Sequence, residues 1–396
     1  MIPVDVARDR ILNALSPTAT HTLDYTHALG RVLAAPLMAA RTQPPFDASA
    51  MDGYAVRSAD LATPDNRFGL QGESAAGHGF RPDLEPGSAI RISTGAPIPA
   101  GADQVVIQEN AERDGDSLVL HAEPIPGANI RHAGIDFFQG DTLVPAGVRV
   151  NPDMIALAVG AGQVELTVHR QPRIGIVSTG DELVEPGEST GPDQIINSVS
   201  KGLSALIEAA DCEPVYLGIA RDTPQSVRER FADAAGLDLV VTIGGASVGD
   251  HDHLRHVFAE DGGVLAFEKI ALKPGKPTWF GTLSGTPVLG LPGNPVSALV
   301  VARLLLLPAL ARLNGQTKPP VFSHAICAVD LPGNDHRETY LRGQINGDGR
   351  VQPLNNQDSS ALSALVRATC LIRRPIHADA IAPGDSVEIL PLLNRD

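Results

Sequence analysis

The sequence predicts a multidomain α/β plus β protein: a three-layer α/β domain, a β-rich insertion domain before it, and a C-terminal β domain. Three observations carry this. From about residue 173 to 314, apolar strand-like runs alternate with helical patterns, as in a parallel sheet wrapped by helices. From about 42 to 150, short β-type runs are punctuated by Glu85-Pro-Gly, Pro99-Ala-Gly, Arg113-Asp-Gly-Asp, Pro126-Gly and Pro145-Ala-Gly. After Lys318-Pro-Pro the β texture returns until about 390, with Pro383-Gly-Asp as another hairpin signal.

The elements follow in chain order. Val4, Ala7, Ile11 and Leu15 stand at helical spacing, so 3–15 reads as an amphipathic helix stopping before Ser16-Pro17. A second helix is expected over about 24–34. A short helix over 152–162 has Pro152 near its start and Gly160 near its end. Val164-Glu-Leu-Thr-Val reads as a strand and His169-Arg-Gln-Pro as a linker. Three buried strands then run into glycine-marked loops. They are Arg173-Ile-Gly-Ile-Val-Ser-Thr-Gly-Asp-Glu-Leu, Asp238-Leu-Val-Val-Thr-Ile-Gly-Gly-Ala-Ser-Val-Gly-Asp, and Pro287-Val-Leu-Gly-Leu-Pro-Gly-Asn-Pro-Val-Ser-Ala. Ligands of open α/β sheets sit outside the carboxyl ends of the strands, so the three loops point to one site for a phosphorylated ligand.

Composition narrows the function. The 396 residues carry 31 Lys+Arg against 46 Asp+Glu, a net charge of −15. Such a chain is a poor general binder of nucleic acid or anionic membrane, and an anionic ligand calls for a local basic pocket. Aromatics are only 4%, which argues against stacking on single strands. Cys212, Cys327 and Cys370 are scattered and lack metal spacing, which reads as a reduced cytoplasmic protein with inert thiols. No signal peptide is evident. The longest apolar run, Ala298 to Leu310, contains Arg303 and Pro308 and reads as too short to span a bilayer.

The loops carry the chemistry. Gly244, Gly245, Ser247 and Gly249 offer successive backbone N–H groups, a phosphate nest; glycines also end strands for structural reasons. Asn294-Pro295 reads as an N-cap followed by proline at the first helical position, either a bare cap or an anion-binding helix start. The flanking Pro292 and Gly293 stiffen that turn. Lys269 and Lys273 share one face if 266–272 is extended, and Lys276 follows between prolines; the alternative is a solvated edge. Asp181, Glu182, Asp222, Asp250 and Asp252 each follow a strand, a shared position from which carboxylates beside phosphates could hold Mg²⁺; any one of them alone reads more simply as a solvated surface acid. His253 and His256 would share a helix face, more simply as surface histidines than as ligands. Asp52-Gly53 is a tight-turn signal.

Taken in order, Phe46-Asp-Ala-Ser-Ala-Met-Asp-Gly-Tyr-Ala-Val, Ile92-Ser-Thr-Gly-Ala-Pro, Ser178-Thr-Gly-Asp-Glu-Leu, Gly244-Gly-Ala-Ser-Val-Gly, Lys273-Pro-Gly-Lys-Pro and Leu291-Pro-Gly-Asn-Pro-Val-Ser-Ala span essentially the whole chain. The set closely resembles the molybdopterin molybdenumtransferase family, which includes bacterial MoeA and the gephyrin E-domain. The resemblance implies an elongated discontinuous domain over 1–45 and 134–170, and a β-rich domain over 46–133. It also implies a molybdopterin-binding α/β domain over 171–317 and a C-terminal β domain over 318–396. A homodimer is implied, with a cleft combining the α/β domain of one subunit and β-rich domains of the other. The implied chemistry takes adenylylated molybdopterin and molybdate as substrates with Mg²⁺ as cofactor, cleaves the anhydride, and releases AMP. Partners implied are a molybdopterin-adenylylating enzyme and molybdoenzyme acceptors, with no nucleic acid and no membrane.

Residue by residue, the family's functional acids fall on Asp52, Asp136, Glu182, Asp222 and Asp252, of which Glu182, Asp222 and Asp252 are the implied metal ligands. The lysines fall on Lys269 and Lys273. Thr94, Ser178, Thr179, Gly180, Gly244, Gly245, Ser247, Gly249, Pro292, Gly293, Asn294, Pro295, Ser297, Arg342 and Ser359 are the implied substrate-binding positions. The sequence departs from the family pattern at Ser93, at Asp250-His251, and at Ile195-Ile-Asn-Ser-Val199, where a final asparagine is replaced. Three other readings compete. A molybdopterin-adenylylating enzyme should not need the 42–150 β region or the C-terminal β region, and a nucleotide hydrolase of the competence-damage type should lack the Met51-Asp-Gly-Tyr-Ala-Val segment. A molybdopterin-binding carrier or scaffold would bind without turnover.

Overall fold

The computed structural model describes residues 1–62, 65–245, 253–316 and 321–392. Three six-stranded sheets organise these residues. The central one runs in the order Glu213–Ala220, Arg173–Thr179, Leu239–Ile243, Thr286–Leu291, Trp279–Leu283, Val264–Phe267. The first four strands are parallel and the last two join antiparallel. Period-two alternation decides the faces. Ile174, Ile176, Leu239, Val241 and Leu289 share one core with helix Ser198–Ala209, the helical run from Pro295 to Leu313, and the N-terminal helix Val4–Ala14. Val177, Val240 and Val288 share the opposite core with residues of helices Pro224–Ala232 and His253–Glu260. The domain is therefore three-layered, as the strand and helix alternation predicts.

The helical run from Pro295 includes a π-helical turn at Ala302–Leu306, just before Pro308. Such a turn accommodates the missing N–H and the ring that would break regular bonding. The sequence expectation needs correcting here. The folded run of 19 residues has a mean hydropathy of 1.9, long and apolar enough by length and composition to cross a membrane. Its window is 72% buried inside the protein, where it forms the central core helix.

The β-rich region forms a sheet ordered Gln104–Ile107, Gly53–Val56, Ser88–Ile92, Arg67–Ser74, Ser117–Leu120, Ala111–Asp114. Its two faces pack against separate apolar clusters, one holding Phe68 and Leu118, the other Ile90 and Leu84. The C-terminal sheet is ordered Leu272–Lys273, Glu338–Ile345, Cys370–Arg374, Ser386–Pro391, Ser323–Ile326, with a sixth strand, Val351–Pro353, pairing with Glu338–Ile345 off this path. Thr20–Asp24 pairs with Glu165–His169, and Leu37–Met38 with Thr142–Val144. Residues from both ends of the β-rich region thus share one core, around Leu33, Leu37, Val144 and Val168.

Two local expectations fail. The helix expected over 24–34 is a single 3₁₀ turn at Tyr25–His27, followed by bridges of Val32 to Arg149 and Leu33 to Val168. Cross-chain pairing outcompetes helical spacing there, a tertiary override of a weak local preference. The stretch 266–272 is not one strand. Val264–Phe267 belongs to the central sheet and Leu272–Lys273 to the C-terminal sheet, so the shared lysine face read from period two does not exist.

Candidate active site

The central sheet changes direction between Arg173–Thr179 and Leu239–Ile243: the chain leaves the first strand on one side and returns on the other. Ligands collect at such a switch point because loops diverge there and leave a crevice. A cavity of about 830 Å³ opens at this place, within the range of ligand pockets. Thr179, Gly180, Glu182, Asp222, Gly244, Gly245 and the turn from Pro292 to Pro295 all line it. The three glycine-marked loops therefore meet in one site.

Backbone packing explains the glycines. Gly244 has φ +86°, and a Cβ there would lie 2.7 Å from Thr179 Oγ1 and 3.0 Å from the Thr179 carbonyl oxygen. Its N–H donates to the Leu291 carbonyl, tying the second loop to the third strand. A hypothetical Cβ on Gly293 would lie 3.5 Å from Gly244 Cα, so the turns nearly touch. The first loop is held by Arg221, whose Nη1 donates to the carbonyls of Gly180, Asp181 and Leu183. Asp181 accepts from the Asp222 N–H at 3.1 Å, which leaves Glu182 and Asp222 as the acids lining the cavity. Thr223 caps the following helix through the Ser226 N–H.

The third loop differs from its sequence reading. Asn294 stands at the N-cap position but makes no side-chain cap bond. Its Nδ2 instead donates to Ser359 Oγ at 2.9 Å, and the Ser359 carbonyl accepts from the Val296 N–H at 3.0 Å. Arg342 holds this C-terminal loop from behind. It is 1% exposed, and its Nη2 donates to the carbonyls of Asn356 and Asp358. Burial draws its guanidinium below its usual range, opposed by the Asp358 charge. Arg342 and Ser359 thus brace the turn, and neither lines the cavity. Ser178 and Ser297 are buried beside the site rather than in its wall.

The remaining predicted residues stand elsewhere. No lysine or arginine is among the described lining residues, so the basic pocket expected from the sequence is absent from them. Lys273 is exposed and Lys269 half-buried, a few residues before Pro277, which does line the cavity. Asp52, Thr94 and Asp136 are not in the wall either. Asp52 Oδ1 accepts from the Thr94 N–H at 2.7 Å and from its hydroxyl at 3.0 Å, which holds this carboxyl below its usual range. Asp136 is exposed and its N–H donates to the Gln43 carbonyl. Ser247, Gly249 and Asp252, like Asp250 and His251, lie outside the described residues. His256 pairs with Glu260 at 3.0 Å, and among the described residues no group of three metal-ligating side chains is assembled.

Sequence reasoning missed a polar chain beneath the cavity. Ser178 Oγ donates to Asn197 Oδ1 at 3.1 Å, and Asn197 Nδ2 donates to the Tyr216 hydroxyl at 2.9 Å. Tyr216 in turn donates to Glu185, which pairs with Lys201 at 2.9 Å. Lys201 also lies 3.8 Å from the Tyr216 ring centroid. Burial alone would raise Glu185, but hydrogen bonds from Tyr216 and Lys201 outweigh it and hold the carboxyl low. The only local signal was Asn197 ahead of an amphipathic helix, which reads as a cap. Its partners are remote in sequence, and no cap bond forms.

Comparison with known proteins places this geometry. Family models describe residues 2–162 as a MoeA N-terminal region (domains I and II), 175–312 as a probable molybdopterin binding domain, and 324–392 as a MoeA C-terminal region (domain IV). A molybdopterin molybdenumtransferase of Haemophilus influenzae is 38% identical over 99% of this chain and 98% of its own. One from a Nostoc species is 33% identical over 94% of this chain and 89% of its own. Two crystal structures of a MoeA molybdopterin biosynthesis protein from Pyrococcus horikoshii superpose with TM-scores of 0.87 and 0.85, at 29% and 28% identity. They cover 99% of this chain and 99% and 100% of theirs. On a cavity built from the same glycine loops that the sequence marks, and on matches that run the length of the chain, this protein belongs to the molybdopterin molybdenumtransferase (MoeA) family of molybdenum cofactor biosynthesis enzymes.

Proposed function

We propose that the protein inserts molybdenum from molybdate into adenylylated molybdopterin and releases AMP in an Mg²⁺-dependent step. The observation that carries this reading is the meeting of three glycine-marked loops with two acids, Glu182 and Asp222, in one cavity at the sheet's switch point. With the Gly244 N–H bonded to the Leu291 carbonyl, the backbone at Gly245 and at the start of the helix after Asn294 suits a phosphate, and the Thr179 contact leaves no room for a side chain at Gly244. Two hard oxygen donors facing the same space fit Mg²⁺, so Glu182 and Asp222 are the residues that would hold it. Bound there, Mg²⁺ would neutralise charge that develops on the anhydride. The chain's own part is to orient the anhydride, with the loop held by Arg221 and the turn braced by Ser359 and Arg342.

The same reading assigns molybdate binding to Lys269 and Lys273, with Asp252 as a further acid. It makes the protein a homodimer. Asp52, Thr94 and Asp136 lie outside the wall of their own chain's cavity, which is the expected pattern if they complete the cavity of a partner. Purified protein incubated with adenylylated molybdopterin should release AMP only when both molybdate and Mg²⁺ are present. Tight binding with no AMP release would overturn the transferase reading in favour of a carrier.

A further inference from the structure

The cavity has two chemically different walls. One carries Glu182, Asp222, Gly244, Gly245 and the turn from Pro292. The other is aliphatic: Leu183, Ile195, Ile196 and Val199. Ile195 and Ile196 form a short parallel ribbon with Leu183–Val184, yet they are 57% and 49% exposed. Two adjacent isoleucines left half in water beside a polar cleft are costly unless something apolar covers them. Nothing in the local backbone requires isoleucine there, because the ribbon is satisfied by main-chain bonds from Ile195 to the Glu182 carbonyl and from Asn197 to the Val184 carbonyl.

The ledge is also held in place. Asn197 follows it directly, and its side chain is fixed at both ends by Ser178 and Tyr216. Glu185, at the end of the ribbon's first strand, accepts from Tyr216 and pairs with Lys201 on the helix that follows. Five polar groups from four segments therefore set the height and tilt of two apolar side chains. A clamp of this kind preorganises a surface for a flat ligand.

We infer that Ile195 and Ile196, with Leu183 and Val199, form the seat for a flat, uncharged fused heteroaromatic ring of the substrate, whose phosphates lie against the opposite glycine wall. This deepens the molybdenum-insertion reading and rests on it. Adenylylated molybdopterin has two such rings, the pterin and the adenine. The ledge is continuous with the anion wall of one cavity, which favours a ring belonging to the same molecule over a separate partner. The segment is also where the sequence leaves its family pattern, ending in Val199. Val199 is 7% exposed and packs into the core while lining the cavity, so the departure puts an apolar side chain in the wall.

The test uses the full-length protein, with calorimetric titration of AMP and, separately, of adenylylated molybdopterin. Ile195→Ser, Ile196→Ser and the double variant are compared with wild type, and each is checked for its melting curve and its mass in solution. Both side chains are half exposed, so folding should survive. Each single variant should weaken binding about three- to tenfold and the double about tenfold or more. Weakening of both molecules assigns the seat to adenine. Weakening of adenylylated molybdopterin alone, with AMP unchanged, assigns it to the pterin. Wild-type affinities in all variants would overturn the seat, as would loss of the dimer with unchanged affinity, which would make the ledge a subunit contact. Wild-type protein that binds neither molecule would instead overturn the molybdenum-insertion reading itself.

Discussion

Gly244→Ala is the sharpest test of how the site is built. The position combines φ +86° with a projected Cβ 2.7 Å from Thr179 Oγ1 and 3.0 Å from the Thr179 carbonyl oxygen. A left-handed conformation costs an L residue roughly 1–2 kcal/mol. The hydroxyl can turn away only by giving up its bond to the Ile243 carbonyl at 3.3 Å, worth about 1 kcal/mol. The carbonyl cannot rotate without moving Gly180, because both belong to one peptide unit. The strain is therefore about 2–3 kcal/mol, and the cheapest relief is displacement of the two loops that carry Thr179 and Gly244. Since about 1.4 kcal/mol is a factor of ten in rate, AMP release should fall at least tenfold, with melting lowered by no more than about 10 °C. The paired control is Gly160→Ala, at a helix end where a Cβ meets nothing within 4 Å and φ is ordinary. It should retain full activity and gain up to about 1 kcal/mol of stability. Full AMP release from Gly244→Ala, measured by single turnover, would refute the claim that the Gly244–Thr179 contact sets the geometry of the site.

Three other outcomes are expected. Glu182→Gln and Asp222→Asn should each raise the Mg²⁺ concentration for half-maximal AMP release about tenfold or more; an unchanged Mg²⁺ titration would remove that residue from the metal site. The Asp52 carboxyl is held below the ordinary 3.8 first by the Thr94 N–H and then by its hydroxyl. It therefore favours folding above that value, and this contribution is lost as pH falls through the depressed one. Thr94→Val removes only the hydroxyl, so a carbon NMR titration should find Asp52 shifted part of the way back; no shift would refute the assignment. Burial pushes the Cys212 thiol up to about 12 and Cys370 up to about 11, against 9.0 when exposed. The native thiols should resist alkylation at pH 8, and their contribution to stability, present below 9.0, should fade as pH rises towards those values. Rapid labelling of Cys212 in folded protein would show that its burial is not as described.

The strands and loops of the central domain were legible because short-range chemistry dictates them. A run such as Leu239 to Ile243 can only be a buried strand, and Gly244 marks a turn that tolerates no side chain. The N-terminal helix was legible for the same reason, with Val4, Ala7 and Ile11 all buried. What the sequence could not display was pairing at a distance. Val32 and Leu33 find partners at Arg149 and Val168, which no local pattern encodes, and a helical spacing gave way to it. Lys273 reads as continuous with Lys269 but pairs with Thr339 in another sheet. Arg342 was a substrate-binding position only by resemblance to the family, and its side-chain hydrogen bonds go to the loop carbonyls of Asn356 and Asp358. Asn197 was invisible as a site residue because Ser178 and Tyr216 become its neighbours only after folding.

Within one chain Glu182 lines the cavity and Asp52 does not, which makes the proposed homodimer quantitatively testable. Suppose each cavity takes Asp52 from one subunit and Glu182 from the other. A subunit carrying Asp52→Asn and a subunit carrying Glu182→Gln are then each inactive as homodimers. In the heterodimer, one cavity receives both lesions and the other receives neither. Random exchange at equal amounts makes heterodimers half of the population, so activity should return to about one quarter of wild type. If both acids served a cavity of the same chain, every cavity in the mixture would keep one lesion and no activity would return. The measurement is AMP release before and after mixing and exchange, with subunit exchange verified by mass. Recovery near one quarter supports a cavity shared between subunits. Persistent inactivity after verified exchange would refute the shared cavity and confine the roles of Asp52 and Glu182 to a single chain.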